Sequence, residues 1–376
     1  MIHNQAVLVI SGYNIRAVIA FCRWATAHRV QYHIVAQSST DPIFATDYKD
    51  RVAVRRDSLN LCPAEFRSWI GELCDQHGYD RILILPSTEF LNRFLVEHRD
   101  AIEAEDCVIP LVDKRLYHTI SDKQSFTALC DSYGLDIPEE FADIPEQLPF
   151  VAKPRVYSSA NGKQRVPLLV HTPHDLERLC REEDTEEYFF QQFISGGSQY
   201  LLAYVGRNGN DVLFSQENLM QQAHGGSVVL AKASGFHQSS IAGRYIEMLR
   251  GQEFFGLVMV EVRFEERHGP YYVIEANPRL WGPLQFAIDN GIDFFGAMLR
   301  DHGFDVSQPA AAARGASHYF WSGGITHASQ PIAFHNYSAV EFVNEFSLLR
   351  PQDIFFRADT LDLFLEESKM EPIRES

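Results

Sequence analysis

Residues 256–281, GLVMVEVRFEERHGPYYVIEANPRLW, contain two apolar, β-rich runs separated by a polar loop that ends in Gly-Pro. This pattern predicts an antiparallel hairpin. Side chains alternate between the two faces of a strand, so Glu261 and Glu275 each fall on a face that becomes polar at one end. If the loop is centred near His268, Glu261 lies directly opposite Glu275.

Two like charges placed opposite each other across an antiparallel pair destabilise it. A hard divalent cation would remove this repulsion, and Mg²⁺ is usually held by one or two carboxylates together with substrate phosphates. Asn277 lies on the same strand face as Glu275 and adds an amide oxygen. The hairpin therefore offers Glu261, Glu275 and Asn277 as Mg²⁺ ligands, with Mn²⁺ as an alternative. The other interpretation is a solvent-exposed hairpin face.

The first 112 residues alternate short β-rich runs with helical patterns, which predicts βαβ units on a parallel sheet. The predicted strands are 6–10, 32–36, 81–85 and 107–112, and the predicted helices lie near 14–28, 63–77 and 88–103. A nicotinamide-binding domain shares this alternation, but the single Gly12 after the first strand does not make the three-glycine fingerprint. A dehydrogenase is therefore disfavoured. Ser87, Thr88 and Glu89 follow a strand, where they form either a substrate-facing segment or a helix N-cap.

The remainder of the chain predicts mixed structure. Strands dominate residues 188–277, and one helix near 241–251 interrupts them. Residues 304–376 are mixed, and 317–324 (SHYFWSGG) form either a strand and turn near the site or a packing element. The other predicted elements are a helical connector at 113–150, strands at 150–154 and 167–171, a small-residue loop at 155–165, and helices at 172–183 and 283–303.

The composition excludes several classes of protein. The chain of 376 residues is long enough for two or three compact units. Its net charge of −17 argues against nucleic acid or an anionic membrane as the main partner. The six cysteines occur singly, as is typical of a reducing compartment. No apolar run reaches the ~18 residues of a membrane helix and no signal peptide is recognisable, so we expect a soluble cytoplasmic protein.

The hairpin with its E…ExNPR pattern follows an earlier lysine in VAKP and another in SDK. Together these residues resemble the ATP-grasp superfamily of carboxylate–amine ligases, over roughly residues 113–300. The resemblance implies an α/β N-terminal (pre-ATP-grasp) domain followed by an α+β two-lobed ATP-grasp domain. The implied boundaries are 1–112 for the N-terminal domain, 113–188 for the first lobe with its connector, 189–330 for the second lobe, and 331–376 for a mixed C-terminal segment.

The resemblance also implies roles for individual residues. Lys123 and Lys153 would contact the ATP phosphates, and Glu261, Glu275 and Asn277 would bind magnesium. Arg279 would contact phosphate or an acyl phosphate, which makes Arg279 and Lys153 the catalytic candidates. Two further groups would contact the nucleotide: Ser158, Ser159 and Gly162 in the lid at 158–163, and Gln191, Gln192, Phe193 and Ile194 at the adenine edge.

Five residues are considered for more than one role. Gln192 stands where the family pattern often has glutamate, and its amide can still accept from an amino group and donate to a ring nitrogen. Lys232 either reaches ATP or is a solvated lysine. Arg263 either pairs with Glu261 or has a function of its own. His224 is better explained by a turn and Trp281 by a core or pocket wall.

The reaction implied by the resemblance is carboxylate + amine + ATP → amide + ADP + phosphate, through an acyl phosphate. The implied partners are ATP with small-molecule carboxylate and amine substrates, amino acids or peptides, and the family resemblance suggests a homodimer. Three alternatives stay open: an ATP-grasp carboxylase, a kinase-like phosphotransferase, and a non-catalytic ATP-binding protein.

Overall fold

The computed structural model describes residues 4–58, 60–104, 106–155, 167–266, 269–306 and 314–369. Its first sheet is parallel, with strand order β3-β2-β1-β4-β5, and it confirms the sheet predicted for this region. Apolar side chains cover both of its faces, as buried parallel strands require. The elements are β1 (Gln5–Ile10), α1 (Ile15–Ala27), β2 (Gln31–Ala36), β3 (Val52–Arg55), α2 (Pro63–His77), β4 (Arg81–Pro86), α3 (Glu89–Glu97), α4 (Arg99–Ile102) and β5 (Cys107–Val108).

The second sheet forms what we call the small lobe, and it is antiparallel, with order β6-β9-β7-β8. Two connector helices precede it, and its own core contains Phe150, Leu179 and Tyr188. Its last strand ends at Gln192, beyond the boundary implied at residue 188, so we propose residue 192 as the end of this lobe. The elements are α5 (Lys114–Ser121), α6 (Lys123–Ser132), β6 (Glu140–Phe141), β7 (Phe150–Pro154), β8 (Leu168–Val170), α7 (Pro173–Glu182) and β9 (Tyr188–Gln192).

The third sheet, called the large sheet, has strand order β14-β13-β10-β11-β12-β15, with β16 pairing with β11. Residues 283–303 are helical, as predicted, and they form two helices. Gly291 adopts φ +79° and ends the first of two helices there, and the Asp293 carboxylate accepts from Gly296 N to start the second. The elements are β10 (Gly197–Val205), β11 (Val212–Gln221), β12 (Val228–Ala233), α8 (Ser240–Gly251), β13 (Gly256–Phe264), β14 (Tyr272–Asn277), α9 (Leu284–Asp289), α10 (Phe294–Asp301), β15 (His318–Phe320), α11 (Gly323–Thr326), β16 (Ala333–Phe334), α12 (Ala339–Leu349) and α13 (Leu361–Glu367).

The link between β9 and β10 is held at its far end by a glycine. Gly196 adopts φ +91°, and a Cβ there would lie 2.6 Å from the carbonyl oxygen of Phe264. Neither the dihedral angle nor the contact tolerates a side chain. The small lobe is therefore joined to the large sheet by a short segment that packs tightly against the end of β13.

One hydrophobic core joins the N-terminal sheet, α1 and one face of the large sheet. The C-terminal segment reinforces this junction, since Arg23 Nε lies 2.7 Å from Asp359 Oδ2 and Tyr48 Oη donates to the same oxygen at 2.7 Å. The strand within 317–324 is β15, which pairs with β12 at the opposite edge of the large sheet from β14. Among the described residues, no helix has the length and apolar character needed to cross a membrane.

Glu367, at the end of α13, provides a test of stability against pH. Its carboxylate accepts from Trp321 Nε1 at 2.8 Å. Burial and the nearby Asp353 charge raise its pKa from an ordinary 4.5 to about 7. The folded protein therefore keeps a proton that the unfolded chain loses, so this group's contribution to stability falls as pH rises from about 4.5 to 7. The loss is on the order of 3 kcal/mol at full ionisation.

Glu367→Gln is therefore expected to raise the thermal unfolding midpoint at pH 8 and to leave it almost unchanged at pH 4. The measurement is thermal unfolding of both proteins across this pH range. Glu366→Gln, which removes the exposed carboxylate next in sequence, is the matched control and should shift neither midpoint. Equal stability of Glu367→Gln and wild type at pH 8 would show that the buried carboxylate carries no ionisation cost.

Candidate active site

The hairpin of β13 and β14 pairs Glu261 with Glu275, and the predicted register is confirmed. A register irregularity follows Glu261, between it and Val262. Both carboxylates line a cleft of about 740 Å³ that also takes residues from the small lobe and from α3. Glu261 is 4% exposed. A buried carboxylate, Glu261, and a partly buried one, Glu275, therefore lie side by side in one cleft.

Lys123 opposes this negative charge from the start of α6. Asp122 caps the helix by accepting from Ser125 N, which places Lys123 at its first residue. Lys123 Nζ lies 2.6 Å from Glu275 Oε2. Burial alone raises the pKa of Glu275, but the charge and hydrogen bond of Lys123, helped by Asn277, outweigh burial and lower that pKa to about 2. Glu275 is therefore held as a carboxylate.

Lys153 brings a second amino group to the cleft from the C-terminal end of β7 in the small-lobe sheet. It is 5% exposed, and its Nζ donates to the Ile274 carbonyl oxygen at 3.3 Å. Burial, with a further contribution from the Lys123 charge, lowers the pKa of Lys153 to about 7. A lysine buried at such a cost, beside a second lysine, has the position expected of a ligand for a polyanion.

Glu261 has two neighbours of its own. Ser198 Oγ donates to Glu261 Oε1 at 3.3 Å, and Arg263 Nε lies 3.6 Å from the same oxygen. Burial raises the pKa of Glu261, while the Arg263 charge opposes the increase. Arg263 thus pairs with Glu261, which was one of the two interpretations considered for it. Arg263 also lines the cleft.

Asn277 and Arg279 extend the site beyond β14. Asn277 Nδ2 donates to Glu275 Oε1 at 2.7 Å, and Arg279 Nη2 donates to Asn277 Oδ1 at 2.9 Å. Arg279 Nε also lies 3.6 Å from Glu89 Oε2. Thr88 caps α3, which confirms the N-cap interpretation of the segment 87–89. Glu89 lines the cleft, and its contact with a substrate stays a prediction.

The N-terminal domain holds the loop that carries Arg279. Asn92 Nδ2 donates to the Pro278 carbonyl oxygen at 3.1 Å, and Asn14 Nδ2 donates to the Leu280 carbonyl oxygen at 3.2 Å. The sequence analysis missed both asparagines as site residues, because contacts separated by 186 and 266 positions leave no local signal. The two bonds bracket Arg279, so Asn14 and Asn92 hold the backbone on either side of it.

Asn92→Leu is expected to lower kcat by about tenfold and to leave ATP affinity unchanged, because one lost buried hydrogen bond is worth about 1–2 kcal/mol. The measurements are steady-state turnover and equilibrium nucleotide binding. Asn290→Leu is the matched control, since Asn290 Nδ2 donates to the carbonyl oxygens of Phe286 and Ala316, outside the cleft. Equal losses of kcat in both variants would indicate a general effect on stability.

The opposite end of the cleft is less charged. Gln191, Gln192, Phe193 and Ile194 all line it, together with Val151 and Leu169. Gln191 is 1% exposed, and both polar atoms of its side-chain amide lack a partner. Gln192 Oε1 instead accepts from Glu139 N at 3.4 Å. Gln191 is therefore the amide with unused donor and acceptor capacity in the cleft wall.

The structure places the remaining candidates outside this arrangement. Lys232 Nζ pairs with Glu217 Oε2 at 3.2 Å. The strand register aligns Lys232 with Val262 across the sheet, so its side chain lies on the face opposite Glu261. The suggestion that Lys232 reaches ATP therefore needs correction. Trp281 is buried in the core and His224 lies in a turn, as the sequence indicated. Ser158, Ser159 and Gly162 lie outside the described residues.

The oxygen ligands fit magnesium. Across the described ranges there is no group of three or more His, Cys, Asp or Glu side chains that could hold a metal ion alone. Glu261 and Glu275 with the Asn277 amide form an oxygen-only set that leaves coordination positions for substrate phosphates, the arrangement magnesium usually adopts. The Lys123 ammonium now supplies the positive charge beside Glu275.

No protein-family model matches the chain, and no curated protein matches it by sequence. Solved structures do resemble it. A Rhizobium etli pyruvate carboxylase aligns with TM-score 0.56 and 15% identity over 83% of this chain, which spans only 29% of that longer protein. A Campylobacter jejuni biotin carboxylase, solved as a β-γ-ATP complex, aligns with TM-score 0.56 and 13% identity over 80% of this chain and 72% of its own.

The N5-carboxyaminoimidazole ribonucleotide synthetase of Thermotoga maritima aligns with TM-score 0.52 and 12% identity, over 81% of this chain and 77% of its own. These identities are too low to transfer a reaction, but each alignment covers 80% or more of this chain. The chain has the fold of these carboxylase and synthetase structures.

Proposed function

We propose that this protein is an ATP-dependent carboxylate–amine ligase that forms an amide or peptide bond through an acyl phosphate and releases ADP and phosphate. The observation that carries the proposal is the pairing of Glu261 with Glu275 across β13 and β14. Lys123 and Lys153 lie in the same cleft. This combination suits a magnesium-bound triphosphate, because phosphoryl transfer depends on positioning and charge neutralisation.

The nucleotide has a defined orientation in this proposal. The purine lies against Val151, Leu169 and Ile194, where the unpaired amide of Gln191 can accept from an amino group and donate to a ring nitrogen. The triphosphate then points toward Lys123 and Lys153. Magnesium, held by Glu261, Glu275 and Asn277, would neutralise the charge on the transferring phosphoryl group. Mn²⁺ would fit the same oxygen ligands.

The chemistry divides into two balanced steps. A substrate carboxylate oxygen attacks the γ-phosphorus of ATP, which forms the acyl phosphate and releases ADP. The amine nitrogen then attacks the acyl carbon, the C–O bond to phosphate breaks, and the nitrogen loses a proton. Arg279 lies beside Asn277 at the cleft wall, where its fixed charge can stabilise the departing phosphate. The substrates are small molecules, with amino acids or peptides as the first candidates.

The test is phosphate release from ATP and magnesium over a panel of paired amino acids and carboxylates, with ADP and AMP measured separately. We expect ADP and phosphate that depend on both substrates, with a new amide mass. AMP and pyrophosphate would contradict the acyl-phosphate route. A phosphorylated product without any need for an amine would identify a kinase-like phosphotransferase, and nucleotide binding without turnover would favour an ATP-binding protein.

A second candidate is an ATP-dependent carboxylase, and the fold comparison favours it. The similar structures carry the names of carboxylases and of N5-carboxyaminoimidazole ribonucleotide synthetases. In such a reaction bicarbonate would replace the organic carboxylate as the activated group. Bicarbonate-dependent ADP release without any added carboxylic acid would support this candidate, whereas indifference to bicarbonate would exclude it.

A further inference from the structure

Three buried, uncharged side chains form a hydrogen-bonded chain that ends on Glu261. Gln216 Nε2 donates to Asn218 Oδ1 at 2.7 Å, and Asn218 Nδ2 donates to Ser198 Oγ at 2.9 Å. Ser198 Oγ then donates to Glu261 Oε1 at 3.3 Å. All three residues are 0% exposed. We call Gln216, Asn218 and Ser198 the polar relay.

The polar relay lies on the face of the large sheet that carries Glu261. Ser198 pairs with Asn218 between β10 and β11, while Tyr200, two residues along β10, pairs with both Gln216 and Glu261. Side chains two residues apart point to the same face. Farther along the same three strands, this face becomes part of the apolar core, with Leu202, Phe214 and Met259. Buried amides and a hydroxyl placed there are costly unless they are hydrogen-bonded.

The Glu261 carboxylate determines the donor-to-acceptor direction of every hydrogen bond in the polar relay. An ionised Glu261 can only accept, so the Ser198 hydroxyl must give it its single proton. The Ser198 oxygen then needs a donor, which orients the Asn218 amide with its NH₂ group toward Ser198. The Asn218 oxygen in turn orients Gln216 with its NH₂ group toward Asn218. Each amide orientation follows from the residue before it, so the relay has one consistent arrangement.

We propose that Ser198 is a positioning residue for the metal ligand Glu261, with Asn218 and Gln216 holding Ser198 in its donating orientation. This inference rests on the proposed function, because it assigns Glu261 to the cation. Ser198 and Arg263 both engage Oε1 of Glu261, so Oε2 is the oxygen that we assign to the metal. Hydrogen bonds to ligating carboxylates orient them, and their loss typically costs about 10–100-fold in metal affinity.

The primary experiment measures Mn²⁺ binding to the full chain with saturating ADP, by electron paramagnetic resonance titration. Ser198→Ala is expected to weaken Mn²⁺ binding by about tenfold. It should leave metal-free ADP affinity unchanged. Ser198→Thr keeps the hydroxyl and should retain most of the wild-type affinity. Ser215→Ala is the matched control, because Ser215 is also 0% exposed but faces away from Glu261 and donates to the Ser234 carbonyl oxygen at 2.8 Å.

A double-mutant cycle tests the order of the relay. Asn218→Leu keeps the approximate volume, removes the donor to Ser198, and should weaken Mn²⁺ binding through Ser198. In the Ser198→Ala background the same change should have little further effect, since residues acting in series are not additive. Additive losses would overturn the relay and would indicate that Asn218 acts independently.

A third variant separates failure of the inference from failure of the proposed function. Glu261→Gln should weaken Mn²⁺ binding more than Ser198→Ala does. If Glu261→Gln weakens binding and Ser198→Ala does not, the relay is wrong and the metal site stands. If Glu261→Gln leaves binding unchanged, the metal assignment is wrong and the relay proposal is overturned with it.

Discussion

Glu275→Gln is expected to lower kcat by about a thousandfold or more, because a bound metal contributes several kcal/mol of charge stabilisation to the transition state. The same change should leave the fold nearly as stable as wild type. It removes the ion pair with Lys123 at 2.6 Å, but it also removes the repulsion between two glutamates that face each other. These two effects oppose one another, so the unfolding midpoint should move by less than about 4 °C.

The measurement is substrate-dependent ADP release, with circular dichroism and thermal unfolding recorded on the same preparation. Glu265→Gln is the matched control, since Glu265 is an exposed carboxylate just beyond the end of β13 and contacts Ser195. It should retain full activity. A Glu275→Gln protein that turns over at the wild-type rate would refute the assignment of Glu275 to the metal.

Lys153→Met should weaken ATP binding by about a hundredfold, because a buried ammonium that donates to phosphate contributes on the order of 2–3 kcal/mol. The nucleotide-free variant should nevertheless be more stable than wild type. Lys153 is 5% exposed, and burial lowers its pKa to about 7, so the folded protein bears the cost of its charge. Weaker binding with higher stability is a pairing that a misfolded variant cannot produce.

The pH dependence of nucleotide binding gives a second measurement for Lys153. Its lowered pKa leaves the free lysine largely neutral at pH 8, whereas a bound triphosphate favours the charged form. Binding of metal-free ADP should therefore take up a proton above pH 7 and weaken as pH rises. Calorimetry in two buffers of different ionisation enthalpy measures this uptake. The uptake should be absent in Lys153→Met, and its persistence there would assign it to another group.

Strand periodicity predicted the part of the site that depends on one hairpin. A period of two and a short loop determine which side chains of β13 and β14 share a face, so the pairing of Glu261 with Glu275 could be derived locally. Gln191 illustrates the limit of that approach. Gln191 and Gln192 both line the cleft, but Gln192 Oε1 accepts from Glu139 N, and a contact between residues 53 positions apart leaves no local signal.

Other features depend on contacts between distant segments. Lys232 lies on the sheet face opposite Glu261 because the register across β11 and β10 aligns it with Val262, and the sequence does not reveal that register. Two other features also depend on contacts between segments far apart in sequence. They are the hydrogen bonds of Asn14 and Asn92 on either side of Arg279, and the polar relay next to Glu261. Helix and strand patterns are local, whereas these hydrogen bonds exist only after the domains have packed.

The separate core of the small lobe has a consequence for its local stability. Among the residues of this lobe that the structure describes, six buried side chains form that core, and the segment that joins the lobe to β10 is short. Regions with few buried apolar contacts open more readily than the global fold, and their amide hydrogens exchange faster. A nucleotide held between Lys153 and the carboxylates of the large sheet would add buried contacts to those of the small-lobe core. ATP would then be a folding ligand for this lobe, and its binding would slow amide exchange there first.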